Sequence, residues 1–171
     1  MYTDASLSLT STADRAAGGQ AITGAAEIIS SDVIDLGAIR DMGEGEDIYV
    51  YTRVTGTFAG GTNLQVRAVI ASDVGLSANV QLVGFSDVIP LVSLIAPTGQ
   101  KMGYVCAIRI NPLLAGIVNA AAAVQGNLGQ LYFGLRYVPT GTFTTGGRVI
   151  SDVVIGVQDG KKSYPTGITV G

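Results

Sequence analysis

"DIYVYTRVT", residues 47–55, decides how this chain is read. Ile48, Val50 and Val54 alternate with Tyr49, Tyr51 and Arg53. A period of two puts one set of side chains on each face of an extended backbone, so the stretch predicts a strand with its aliphatic set buried. "NLQVRAVI", 63–70, repeats the pattern, with Leu64, Val66 and Ala68 set against Gln65 and Arg67. Similar runs occupy 80–91, 101–110, 131–138 and 148–158, and shorter candidates lie at 27–29 and 33–36. About eight strands at hairpin-like spacing, rich in Val, Ile and Tyr and bounded by glycine, predict an all-β sandwich or barrel.

The turns fit that class. "TGTFAGGTN" (55–63) and "TGTFTTGGR" (140–148) are near copies, each ending one strand and starting the next. Gly60-Gly61 and Gly146-Gly147 supply the positive φ that tight hairpins need. The echo is short, and one turn chemistry used twice accounts for it. The stretch "LLAGIVNAAAAVQGN", 113–127, reads equally as a short helix or an ordered loop: alanine favours helix, while Gly116 and Asn119 oppose it. The two ends read as arms, 1–24 and 160–171, around a sandwich over 25–159. Leu7, Leu9, Ile168 and Val170 keep a strand-like alternation, so the arms are expected to order against neighbouring chains.

Composition narrows function. The chain has 171 residues, the size of one domain, with 47% hydrophobic residues, 13% charged and a net charge of −3. So low a charge density predicts a surface partly covered by other protein. With no basic cluster beyond Lys161-Lys162, nucleic acid is not expected as a direct partner. Histidine is absent, which removes the usual neutral-pH acid/base group and the commonest zinc ligand. No enzyme activity, cofactor or metal is expected. Cys106, the only cysteine, shares the apolar phase of "YVCAIRI" with Ile108 and Ile110 and reads as a buried, inert thiol. No signal peptide is apparent. The longest uncharged run, Ile110 to Leu135, is too interrupted to span a bilayer, so a soluble protein is expected, without a membrane partner.

Two groups of residues stand out. In "RDMGEGEDIYV", 40–50, the glycines are interleaved with Glu44 and Glu46 and followed by Asp47, charges that repel a phosphate. The spacing of these acids matches no calcium loop, and connector acids such as Glu44 and Asp47 seldom serve as a hydrolytic pair. What remains is an acidic connector, either solvated or touching a basic partner. The second group is Arg53, Arg67, Arg109 and Arg136, each mid-strand and out of phase with the apolar set. Tyr49, Tyr51 and Tyr132 share their phase. Arginine pairs bidentately with carboxylates at interfaces, so the set reads as an amphipathic contact surface. Its alternatives are arginines lying flat in water, or tyrosines stacked on sugar rings, which the absence of tryptophan weakens.

"MYTDASLSLTS" (1–11), "VIDLGAIRDMGEGEDIYVYTRV" (33–54), "GQLYFGLRYVPTGTFTTGGRVISDVVIGVQ" (129–158) and "SYPTGITV" (163–170), in that order, resemble the capsid cement (decoration) proteins of tailed phages, of the Bordetella-phage type. Residues 111–127 fall outside the resemblance and read as an insertion. The resemblance implies a jelly-roll β-sandwich made in the host cytoplasm and mounted on the outer surface of a phage head. It implies binding to the major capsid protein, self-association as a dimer or trimer, and bridging of neighbouring capsomers without covalent links. It brings no catalytic residue. A carbohydrate-binding jelly-roll module on a virion or cell surface is the alternative of a different class.

Overall fold

A computed structural model describes residues 7–36, 48–98, 103–110, 132–144 and 146–155. The acidic connector with Glu44, Glu46 and Asp47, the segment 113–127 and the C-terminal arm 160–171 lie outside the described residues.

The protein is all-β, with one short α-helix and a 3-10 turn at Leu91–Ser93 among the described residues. In chain order come α1 (Thr12–Ala16), β1 (Gln20–Ala21), β2 (Ile28–Ile29), β3 (Ile34–Asp35), β4 (Ile48–Gly56), β5 (Asn63–Ala71), β6 (Gln81–Phe85), β7 (Ile89–Pro90), β8 (Val105–Arg109), β9 (Tyr132–Thr140) and β10 (Arg148–Ile155). Each lengthy alternation in the sequence has become a strand. The run 80–91 splits into β6 and β7 because Ser86 turns inward, its Oγ accepting from Val66 N at 3.0 Å and donating to Asp87 O at 2.7 Å.

Two antiparallel sheets result. One has the order β1-β10-β4-β8; in the other, β9 pairs with β2, β3 and β5, and β5 also pairs with β6 and β7. Their inner faces share one core, in which Val50, Val54 and Ile108 from the first sheet cluster with Leu64, Val66, Leu135 and Tyr137 from the second. Burying an aliphatic or aromatic side chain of this size contributes about 1.5–3 kcal/mol, so the alternation itself carries much of the stability.

The twin turns are not hairpins. β4 and β5 belong to different sheets, as do β9 and β10, so 55–63 and 140–148 are corners that carry the chain across the sandwich. The strands they join pair as β4 with β10 and β5 with β9, which relates the two corner units by a pseudo-two-fold. The corners pack on each other. Phe58 meets the equivalent Phe143 edge to face, with centroids 5.0 Å apart at 73°, and Thr144 N donates to Ala59 O at 2.8 Å. Gly61, at φ +63°, is forced twice over, because a Cβ there would lie 2.7 Å from the Phe143 ring.

The N-terminal arm also departs from expectation over 7–24. This segment lies against its own chain. Ser11 caps α1 through Asp14 N, Leu9 N donates to Ser151 O at 3.0 Å, and Gln20 pairs with Val149. Leu9 and Ile22 are fully buried. Gln20 reaches the other sheet, donating to Ile29 O at 2.6 Å and accepting from Ser31 N at 2.9 Å. Two apolar anchors and these bonds supply what the polar composition hid, and no neighbouring chain is needed to bury Leu9.

Candidate functional site

The arginines and tyrosines do face outward, but they divide between the two outer faces of the sandwich. On β4 the inward phase is Val50, Thr52 and Val54, all buried, which turns Tyr49, Tyr51 and Arg53 out. On β8, Cys106 and Ile108 are buried and Val105, Ala107 and Arg109 face out. The register sets Tyr49 opposite Arg109, Tyr51 opposite Ala107 and Arg53 opposite Val105. These six residues form an outward-facing strip two strands wide, amphipathic and cationic, with Tyr49 and Tyr51 half-buried.

The neighbouring part of that face, over β10, is roofed. Asp152, directly opposite Tyr51, is only 5% exposed because it forms an ion pair with Arg15 of α1. Arg15 also donates to Ser8 Oγ from Nε at 2.9 Å and from an Nη at 2.8 Å. Burial, and then the nearby Arg53 guanidinium, lower the pKa of Arg15. Arg53 itself is exposed and has no ion pair among the described residues. The Asp152 carboxylate is thus committed to Arg15, and among the described residues Arg53 has no carboxylate partner and can meet an incoming anion.

Arg67, Arg136 and Tyr132 occupy the opposite side, on the six-stranded sheet. Arg67 and Arg136 face each other across β5 and β9. Arg136 is engaged within the chain: it pairs with Glu27 at 2.9 Å and donates to Leu76 O. Arg67 donates to Gln65 Oε1 at 2.9 Å. Tyr132 packs on a small second cluster of Val69, Ala71 and Leu76. Loop 72–80 forms that cover, held by the Asp73 carboxylate, which accepts from Ala78 N at 2.6 Å and Ser77 N at 2.8 Å. These bonds, that to Ala78 first, hold Asp73 below the usual carboxylate range. The single constellation read from sequence is therefore two, and the second is largely structural.

The sequence reading missed a buried chain of hydroxyls. Tyr137 Oη lies 2.9 Å from Ser151 Oγ, which lies 2.8 Å from Thr52 Oγ1, linking the two sheets through the core. Its signal was present, since Thr52 and Ser151 are polar residues in the apolar phase of adjacent strands. Burial pushes the Cys106 thiol up to about 11, so it is a poor nucleophile. Among the described residues, no three of His, Cys, Asp and Glu gather as metal ligands, and no helix is long and apolar enough to cross a membrane. The sequence matches no family model and no curated protein.

Proposed function

We propose that this chain is a structural interaction protein, a capsid cement protein with a jelly-roll sandwich that binds the outside of a phage head and bridges major capsid protein subunits. The observation that carries the reading is the outward-facing strip of Tyr49, Tyr51, Arg53, Val105, Ala107 and Arg109 on the four-stranded sheet. Tyrosine and arginine bury large areas and pair with carboxylates, the chemistry of protein–protein contact. Two further features support it: low overall charge, and corner connections between two antiparallel sheets, which a jelly roll also uses. In this role the chain is not an enzyme and acts as a homo-oligomer on the virion surface. Many modest contacts repeated over a lattice give strong attachment together.

The test is occupancy on purified heads for wild type and Arg53→Glu. The variant should fold normally and lose most of its occupancy, because a new carboxylate would meet acidic partner groups. Equal occupancy would refute the role of this strip. A glycan array addresses the carbohydrate-binding alternative, which specific sugar binding without head binding would favour.

A further inference from the structure

Four residues on the outer face of the six-stranded sheet stand in one row. The register sets Ile29 of β2 opposite Arg136 of β9, Arg136 opposite Arg67 of β5, and Arg67 opposite Phe85 of β6. Arg67 lies between buried Val66 and Ala68, and Arg136 between buried Leu135 and Tyr137, so the row faces away from the core. The β5–β6 register shift falls between Ala68 and Val69, beyond the row. Both ends of the row are apolar and open to solvent, Phe85 at 53% exposure and Ile29 at 37%.

The middle of the row carries more positive charge than its surroundings neutralise. Like charges directly opposite each other destabilise a sheet. Among the described residues one carboxylate, Glu27, serves the two guanidiniums, pairing with Arg136 at 2.9 Å. Arg136 keeps its Nε buried and without a hydrogen bond. Arg67 is held from one side only. Its Nε donates to Gln65 Oε1 at 2.9 Å, and Gln65 is itself tied through Nε2 to Ser86 O at 3.3 Å. The two terminal nitrogens of Arg67 have no hydrogen bond or ion pair among the described residues. A guanidinium oriented through Nε, with its terminal donors left open, is set to grip a carboxylate bidentately.

We infer that this row docks an extended segment of a partner protein in which an acidic residue stands two positions from an apolar residue on either side. Spacing carries the inference together with charge. Neighbouring strands lie about 4.8 Å apart, so the row spans about 14 Å and the midpoint of the arginine pair is about 7 Å from each end. In an extended chain the side chains of one face recur about every 6.8 Å. A segment laid across the strands therefore sets one apolar residue on Phe85, the carboxylate between Arg67 and Arg136, and the second apolar residue on Ile29. The carboxylate relieves the repulsion of the arginine pair, and the two ends bury surface that a small anion would leave in water. The site is on the face opposite Tyr49 and Arg53, and the inference stands without the capsid reading. A chain engaged on both outer faces touches two partners at once, as bridging requires.

The test titrates the isotope-labelled full chain with the end-blocked peptide Leu-Thr-Glu-Thr-Leu and follows it by NMR. Saturable shifts should appear at the Arg67 Nε–H and at the backbone amides of Ile29, Phe85 and Arg136, with a Kd of about 1 mM. Gln in place of the peptide's Glu should weaken binding at least ~10-fold, the loss of a charge-assisted pair. The peptide Leu-Glu-Thr-Thr-Leu, whose acid falls on the other face, should lose as much. Arg67→Gln should weaken the Glu peptide to the level of the Gln peptide and leave the Gln peptide unchanged. Phe85→Ser should weaken both peptides alike and serves if the arginine variant does not fold. No saturation below ~10 mM, equal affinity for the three peptides, or shifts centred on Tyr49 and Arg53 would overturn the inference. So would inorganic phosphate that saturates the same amides more tightly than the Glu peptide and is indifferent to Phe85→Ser, which would make this a small-anion site. Peptide binding by a chain that does not bind heads would refute the capsid reading alone. Head binding lost in Arg53→Glu, with no peptide binding by wild type, would refute this inference alone.

Discussion

Ser151→Ala should cost more stability than Tyr137→Phe, although each deletes one hydroxyl from the same buried chain. Tyr137 is at the end of that chain, 2.9 Å from Ser151 Oγ, and Ser151 is in the middle, 2.8 Å from Thr52 Oγ1. Removing the end leaves Ser151 still paired with Thr52, so the loss is one net hydrogen bond, about 1 kcal/mol. Removing the middle orphans the Tyr137 hydroxyl, whose residue is fully buried, and takes a partner from Thr52. A buried group left unsatisfied costs about 1–3 kcal/mol, which brings Ser151→Ala to about 2–4 kcal/mol. The double variant no longer contains the orphaned hydroxyl, so it should cost no more than Ser151→Ala alone. The coupling is about 1–2 kcal/mol. Urea denaturation at neutral pH measures all three variants, with an unchanged slope showing that the unfolded state is comparable. In thermal melts each kcal/mol corresponds to about 2–4 °C for a chain of this size. Equal costs for the single variants, or strict additivity in the double, would refute this account of the core.

Arg15→Ala strips the guanidinium from the nearly buried Asp152, and because Arg15 is itself 29% exposed the cost should be about 1–3 kcal/mol. Amide exchange over 7–24 should quicken while β4, β5 and β9 stay protected; uniform protection would count against a clasp held by this pair. Gly61→Ala should cost about 2–4 kcal/mol and Gly18→Ala about 1 kcal/mol, since both have positive φ but only the first would strike a neighbouring ring. Urea midpoints in the opposite order would contradict the corner packing. Cys106 should resist thiol reagents at pH 8 until the chain unfolds. Its pKa is raised from 9.0 to about 11 by burial, so its stabilising contribution is complete below about pH 9 and is lost as pH climbs toward 11. Burial raises Tyr137 in the same direction. Stability that rises between pH 9 and 11 would contradict both assignments.

The strands were legible because burial on one face writes a period of two into the residues, as in Leu64, Val66 and Ala68. The corners were not, because Gly60 and Gly61 have the same local conformation whether the next strand joins the same sheet or the other. That choice is made by the distant pairings of β4 with β10 and β5 with β9. The phase of Arg53 and Arg136 was legible for the same reason as the strands, while their separation onto opposite faces depends on sheet membership. The docking of residues 7–24 escaped notice because its anchors, Leu9 and Ile22, are thirteen positions apart in a polar stretch. Asp152 gave no sign of burial, since its partner Arg15 lies far away in sequence.

The pseudo-two-fold has a consequence for synthesis. Ile48 pairs with Ile155 and Asn63 with Thr140, so one edge of β4 and one edge of β5 have no partner until β10 and β9 have been made. On the ribosome, β4 and β5 emerge well before β9 and β10 and must each wait with one long edge bare. Loops this long are slow to close, which makes folding a late event that the last strand completes. A nascent chain halted before residue 132 would lack one central strand of each sheet, β9 and β10, and its exposed β4 and β5 would be the segments for which a chaperone or an aggregate competes.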